Sequence, residues 1–368
     1  MNAFTYGDEK IGKREIWFAV SSMLIGTGIL TLPNALASQT EAADGWVSLL
    51  IGGIVSTLFA CLCAKLASRF PEQTFLAYST AIVGKAMAVM LTLLYAVMFL
   101  GFAASSTREI ANIAKLYLFE RTPLEVIALA FLLPVIYAVA GSRAALLRLN
   151  LLFLPVVLVI ICIVLLFNLH FIESENLLPV FTTKGAGYLQ GIVDSSFSYL
   201  GYGCLLFYVS MMRQSKQATQ AAMIGMTIPI VIYIFIFVST IGILTNVGVA
   251  NIVYPTVEIA KEVVVPGQFF ERFESVFFTI WIMTIFNTVA MSMDISVLSF
   301  GYVFPRVPKM TWLLIVAPVA YFLSMQPENT LDLHRYQEWL SYMGLLFSML
   351  IPALLLLIAA ARKVKGIG

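Results

Sequence analysis

Few side chains in this 368-residue chain have the chemistry of a reactive site, and most of them sit inside long apolar runs. The two histidines, His170 and His334, have none of the neighbours that a metal site needs. Cys61, Cys63, Cys162 and Cys204 all lie in apolar stretches. Cys61 and Cys63 are two residues apart and face different sides of a helix, so neither a disulfide nor a metal clamp is expected. No nucleophile–base pair, phosphate loop or metal set is present, so no catalytic residue, metal or cofactor is expected, and the chain does not read as an enzyme. Two aspartates stand out within the apolar runs: Asp194 and Asp294. Asp294 shares its run with Thr288 and Ser292, which stand i, i+4 on one helix face as cation-coordinating hydroxyls would. These three are the candidates for ion or proton coupling. The plain alternative is that Asp294 reaches the membrane edge or pairs with Arg148. Asp194 reads as interfacial.

The elements that carry these residues follow from composition. Apolar residues make up 60% of the chain and charged residues only 11%, against about 45–50% and about 25% in soluble domains. A net charge of +2 is too small to suggest a nucleic-acid partner. The chain is an all-α integral membrane protein in lipid. Ten apolar runs are long enough to be spans: 15–36, 46–66, 84–107, 124–141, 147–168, 188–211, 218–243, 273–301, 311–326 and 337–361. They are continuous rather than alternating, which excludes barrel strands. With the N-terminus cytoplasmic, alternation through ten spans puts 15 Lys and Arg on the cytoplasmic side and 7 on the other, as the positive-inside rule requires. The expectation is a multi-pass cell-membrane protein with both termini cytoplasmic: a tail at 1–14, spans, and a tail at 362–368. Lys10 to Arg14, the following apolar run and Ala35-Leu36-Ala37 imitate a signal peptide, but the run exceeds a normal one and its removal would leave an odd number of spans.

Two runs carry interruptions near their middles. The first contains Gly26-Thr27-Gly28 and the sixth Gly201-Tyr202-Gly203, with 175 residues separating the members of each glycine pair. An interior glycine weakens a helix by about 1 kcal/mol relative to alanine. Prolines repeat in matching spans: Pro134 with Pro318, and Pro155 with Pro352. Paired interruptions in two halves point to a transporter-type site at the midplane. Five spans per half, at 15–168 and 188–361, make the second half an inverted repeat of the first. The alternative reading of these glycines is close helix packing.

The segment Trp17 to Pro33, with its core Met23-Leu24-Ile25-Gly26-Thr27-Gly28-Ile29-Leu30-Thr31-Leu32-Pro33, resembles the first helix of spore germination permeases, the B subunits of nutrient germinant receptors. The ten spans, short tails and Ala67-Ser68-Arg69-Phe70-Pro71 agree with it. That family lies in the amino acid–polyamine–cation permease superfamily, with a LeuT-like five-plus-five inverted repeat and broken first and sixth helices. The resemblance implies a ligand held between those helices by Ile25, Gly26, Thr27 and Gly28 on one side and Tyr199, Gly201, Tyr202 and Gly203 on the other. The family's sixth-helix motif often has a glutamate where this chain has Gly203. Tyr95 and Phe99, i, i+4 in the third helix, are candidates for the pocket wall, with plain packing as the alternative. Arg108, Glu109, Lys115, Glu120 and Arg121 read as a solvated turn or an external gate. The implied function is a permease-like receptor subunit that binds a small nutrient such as an amino acid and signals germination from the spore inner membrane. The implied partners are a larger membrane subunit and a lipoprotein subunit. The alternative is a stand-alone proton- or sodium-coupled amino acid transporter.

Overall fold

In lipid, each backbone polar group must be satisfied within its own segment, so apolar runs of this length fold as helices. The computed structural model describes residues 10–262 and 273–364, apart from the side chains of Thr27, Phe197 and residues 273–276. Helix α1 (Lys13–Ala37) starts where the Glu15 carboxylate accepts the Gly12 N–H at 3.0 Å. It is followed by α2 (Gly45–Ser68), a short α3 (Phe75–Val83), α4 (Lys85–Tyr117), α5 (Leu124–Ala140) and α6 (Arg143–Asn168). Helix α7 (Gly185–Tyr199) tightens into a 3-10 stretch, Leu200–Cys204, before α8 (Leu205–Tyr208). The chain continues through α9 (Ala218–Leu244), α10 (Asn246–Asn251), α11 (Pro255–Lys261), α12 (Phe273–Val303), α13 (Lys309–Met325), α14 (Thr330–Leu345) and α15 (Ile351–Ala361).

All ten apolar runs of the sequence are helical. Among the described residues six helices are long and apolar enough to cross a membrane, or eight when two bent pairs each count as one; α5 and α13 are shorter apolar helices. Among the described residues there is no strand, only an isolated bridge between Ile11 and Met212. Helix α12 is central: 78% of its apolar window is buried inside the protein, against 28% for α6, which turns its apolar surface outward. Such all-round apolarity is what a helix between protein and lipid needs.

Helix α4 runs ten residues beyond the expected end of its span, through Tyr117. Arg108 and Glu109 are therefore buried helix residues rather than a solvated turn, 7% and 1% exposed. Helix α14 likewise starts earlier, at Thr330, because Asn329 caps it by accepting the Asp332 N–H at 2.9 Å. Polar residues continue these helices inward because both line a cavity instead of lipid.

The connection between α1 and α2 is fastened by Asp44. Its carboxylate accepts the N–H groups of Phe181, Thr182 and Thr183 at 2.6, 2.8 and 3.0 Å, and the Tyr188 hydroxyl at 3.0 Å. Burial opposes the charge, but these donors outweigh it and hold the carboxyl below its ordinary value. Asn34 ties α1 to α10 by donating to the carbonyls of Val249 and Ala250 at 3.1 and 2.9 Å.

Candidate ligand-binding site

Both expected interruptions are bends. Helix α1 turns by 52° between Gly26 and Gly28, and the α7–α8 pair turns by 44° between Ser196 and Leu200. Residues Ile25 to Gly28 keep helical conformation through the bend, and the second break takes the form of the tighter 3-10 turn. Neither segment opens into extended backbone.

The glycines let helices approach where a side chain would collide. A Cβ on Gly26 would fall 2.1 Å from Thr288 Oγ1, and one on Gly28 would fall 2.4 Å from Ser198 Oγ. On Gly201 it would stand 2.9 Å from Met23, and on Gly203 3.1 Å from Ser348 Oγ. Gly28 and Gly201 thus join the two bent helices to each other, while Gly26 seats α1 on α12. The side chain of Thr27 lies outside the described residues. Ile25 is fully buried in the core.

The structure brings Phe99, Gly201, Thr288 and Ser292 around one small space of about 20 Å³ at this junction. That holds little more than one water. Thr288 donates to the Ser22 carbonyl at 3.2 Å, and the buried Ser292 hydroxyl has no partner among the described residues. Three expected tyrosines lie apart from this space. Tyr95 donates to the Phe347 carbonyl, with its ring edge-on to Phe75 and Phe347 at 4.9 and 5.0 Å. Tyr199 donates to the Leu49 carbonyl at 3.0 Å. Tyr202 is fully buried, its hydroxyl without a partner among the described residues.

Asp294, two residues after Ser292 on α12, does not line that space. It is fully buried and meets Arg143 Nε at 3.3 Å, Lys309 Nζ at 3.9 Å and the Tyr208 hydroxyl at 3.1 Å. The alternative of a pair with Arg148 does not hold, because Arg148 stands 3.9 Å from Glu15 instead. The starts of α6 and α13 and the end of α8 thus converge on one carboxylate. Nothing in the spacing of Arg143 and Lys309 from Asp294 assigned them as its partners.

On the opposite side of the bends lies a cavity of about 570 Å³, lined by residues of α1, α4, α7 and α14 that include Glu109, Asp194, Ser198, His334, Gln337 and Glu338. Asp194, expected at the interface, and His334 both belong to this vestibule. Ser198 lines its floor and also packs on Gly28, so the cavity ends on the junction of the bent helices.

This architecture recurs in solved transporters. Mhp1, a nucleobase-cation-symport-1 family transporter, superposes with TM-score 0.66 over 92% of this chain and 76% of its own, at 16% identity. MhsT, solved in complex with L-phenylalanine, gives TM-score 0.69 over 95% and 89%, at 12% identity. Both have the LeuT fold, and so does this chain. Among sequences, spore germination protein GerLB of Bacillus cereus is 39% identical over 100% of the chain and 98% of its own length. Spore germination proteins YndE and A2 of Bacillus subtilis (strain 168) are each 29% identical, over 96% and 94% of the chain. The spore permease family model, described as spore germination protein, matches residues 10–333. With that match over most of the chain and a relative this similar along its whole length, the protein belongs to the spore germination permease family.

Proposed function

We propose that this protein is the permease-like subunit of a germinant receptor and binds a small nutrient, such as an amino acid, where α1 and α7 bend together. The observation that carries the reading is the vestibule of about 570 Å³ that ends on the Gly28–Ser198 contact. The GerLB, YndE and A2 relatives support the germination role, and the L-phenylalanine of MhsT supports an amino acid as the ligand class.

In this reading the two halves, 15–168 and 188–361, form ten spans with both termini cytoplasmic, so the vestibule opens away from the cytoplasm. The ligand carboxylate meets the bend at Ile25, Gly26, Thr27 and Gly28, whose backbone N–H groups are freed as the helix opens there. Gly201 and Gly203 give close approach on the other helix, with Tyr199, Tyr202, Tyr95 and Phe99 as the surrounding wall. The space of about 20 Å³ is smaller than any amino acid, so binding parts α1 from α7. That movement passes to a larger membrane subunit and a lipoprotein subunit. Coupling falls to Thr288 and Ser292, which hold an ion at the α1–α12 contact, and to Asp294 as the counter-charge of Arg143 and Lys309. No enzymatic step is assigned.

Uptake and binding of labelled L-amino acids by liposomes containing only this protein, with and without a pH gradient, test the reading. Binding without uptake is expected. Saturable, gradient-driven uptake would make the protein a stand-alone coupled transporter. A Gly28→Trp variant that folds normally should lose binding, and unchanged affinity would remove the ligand from the helix junction.

A further inference from the structure

The vestibule walls carry charge of one sign. Glu109, Asp194 and Glu338 line it, His334 stands among them, and no lysine or arginine does among the described residues. Glu109 is the unusual member. Only 1% exposed, it takes one hydrogen bond, from Gln337 at 3.0 Å, and no basic group lies within ion-pair distance of it among the described residues. Its neighbour Arg108 points away and donates to the Glu328 carbonyl at 3.3 Å. A buried carboxylate without a counter-charge is costly in a low-dielectric wall, a cost that a proton or a cation entering the cavity relieves.

A second observation marks the same cavity as a ligand site. Ser198, 7% exposed at the floor, makes no hydrogen bond through its hydroxyl among the described residues, although its own carbonyl accepts from Tyr233. The acids do not converge on a point: no group of three His, Cys, Asp or Glu residues at metal-binding spacing occurs among the described residues. Carboxylates spread around about 570 Å³ suit a polyatomic cation better than a metal ion.

We propose that the vestibule binds an organic ammonium group, with Glu109 as its buried counter-charge, Asp194 and Glu338 as rim charges that draw it in, and Ser198 as the hydrogen-bonding group at the floor. Capture at this position precedes and is separate from any binding at the helix junction. The assignment goes beyond the function proposed above and does not rest on it, because a bare ammonium ion has no carboxylate for the helix ends to hold.

Saturation-transfer NMR on the protein in phosphatidylcholine nanodiscs, with empty discs as reference, tests this with propylammonium, propionate and propanol as probes. Propylammonium should bind in preference to both others, and Glu109→Gln should weaken it about tenfold. Asp194→Asn and Glu338→Gln, at less buried positions, should each weaken it by about twofold to threefold, which keeps the test decisive if Glu109→Gln fails to fold. Equal binding of the three probes, wild-type affinity in all the variants that fold, or displacement of propylammonium by an equal concentration of sodium would each overturn the proposal. Gly28→Trp reports on the helix junction with labelled amino acids, so failure there and failure here are read by different probes.

Discussion

Arg143 Nε stands 3.3 Å from the carboxylate of Asp294, a side chain with no solvent exposure. Because Tyr208 and Lys309 reach the same carboxylate, this one contact locks α6, α8, α12 and α13 together on the side away from the vestibule. Lys309 also donates to the Gly141 carbonyl at 2.7 Å, next to the Ser142 cap of α6. The network closes one side of the protein while the cavity leaves the other open.

Removing the carboxylate leaves cations around a site built for an anion. Asp294→Asn is therefore expected to cost about 3 kcal/mol and to lower the thermal unfolding midpoint in detergent. Cysteines introduced near Arg143 should also become more reactive toward a water-soluble maleimide. An unchanged midpoint with unchanged reactivity would mean that the network does not hold this side shut.

Gly26 is set by contact with Thr288. Gly26→Ala brings a methyl group to 2.1 Å from Thr288 Oγ1 and should destabilise the protein by about 1–3 kcal/mol. Adding Thr288→Ala removes that contact but leaves Thr288 Cβ at 2.9 Å, so the double variant should recover only part of the loss. A double-mutant cycle on thermal unfolding reads the coupling, and strict additivity would refute the contact.

The turn of π-helix at Leu346–Leu350, followed by Pro352, frees carbonyls in the α14–α15 span. Tyr95 satisfies that of Phe347, and Cys63 Sγ lies 3.4 Å from that of Ser348. Tyr95→Phe keeps the ring contacts and loses the donor, for an expected cost of about 1–3 kcal/mol. A midpoint within error of the wild type would show that the carbonyl finds another partner.

Asp44 makes stability depend on pH in one direction. Its folded carboxyl titrates below the ordinary 3.8, so its contribution is complete above that value and is lost as pH falls through the folded value. Asp44→Asn should lower stability by about 2–3 kcal/mol near neutral pH. The gap to wild type should stay constant down to about pH 5 and narrow below about pH 4. A gap that widens on acidification would reverse the sign and the assignment.

The helical runs, their apolar faces and the two weak points at Gly26-Thr27-Gly28 and Gly201-Tyr202-Gly203 were legible in the sequence, because each is a property of one segment. Periodicity and glycine content act locally, and so does the need to satisfy backbone groups in lipid. The family was legible for the same reason, since Trp17 to Pro33 is one contiguous motif. The polar end of α4 was misread as a turn, and the polar start of α14 was left outside its span, because their helicity depends on a cavity shared by four helices.

Which residues meet was decided only by the tertiary structure. Asp294 lies 151 positions from Arg143 and 86 from Tyr208 in the chain, and no local pattern ties such distant positions together. Glu109 reads as a surface charge until α1, α7 and α14 close around it. The 175-residue spacing announced a relation between two halves, yet the partner of each glycine came from side-chain volume across helix contacts. A sequence encodes its segments through short-range propensity and solvation; the pairing of segments is settled by packing, where a few tenths of an ångström separate a contact from a collision.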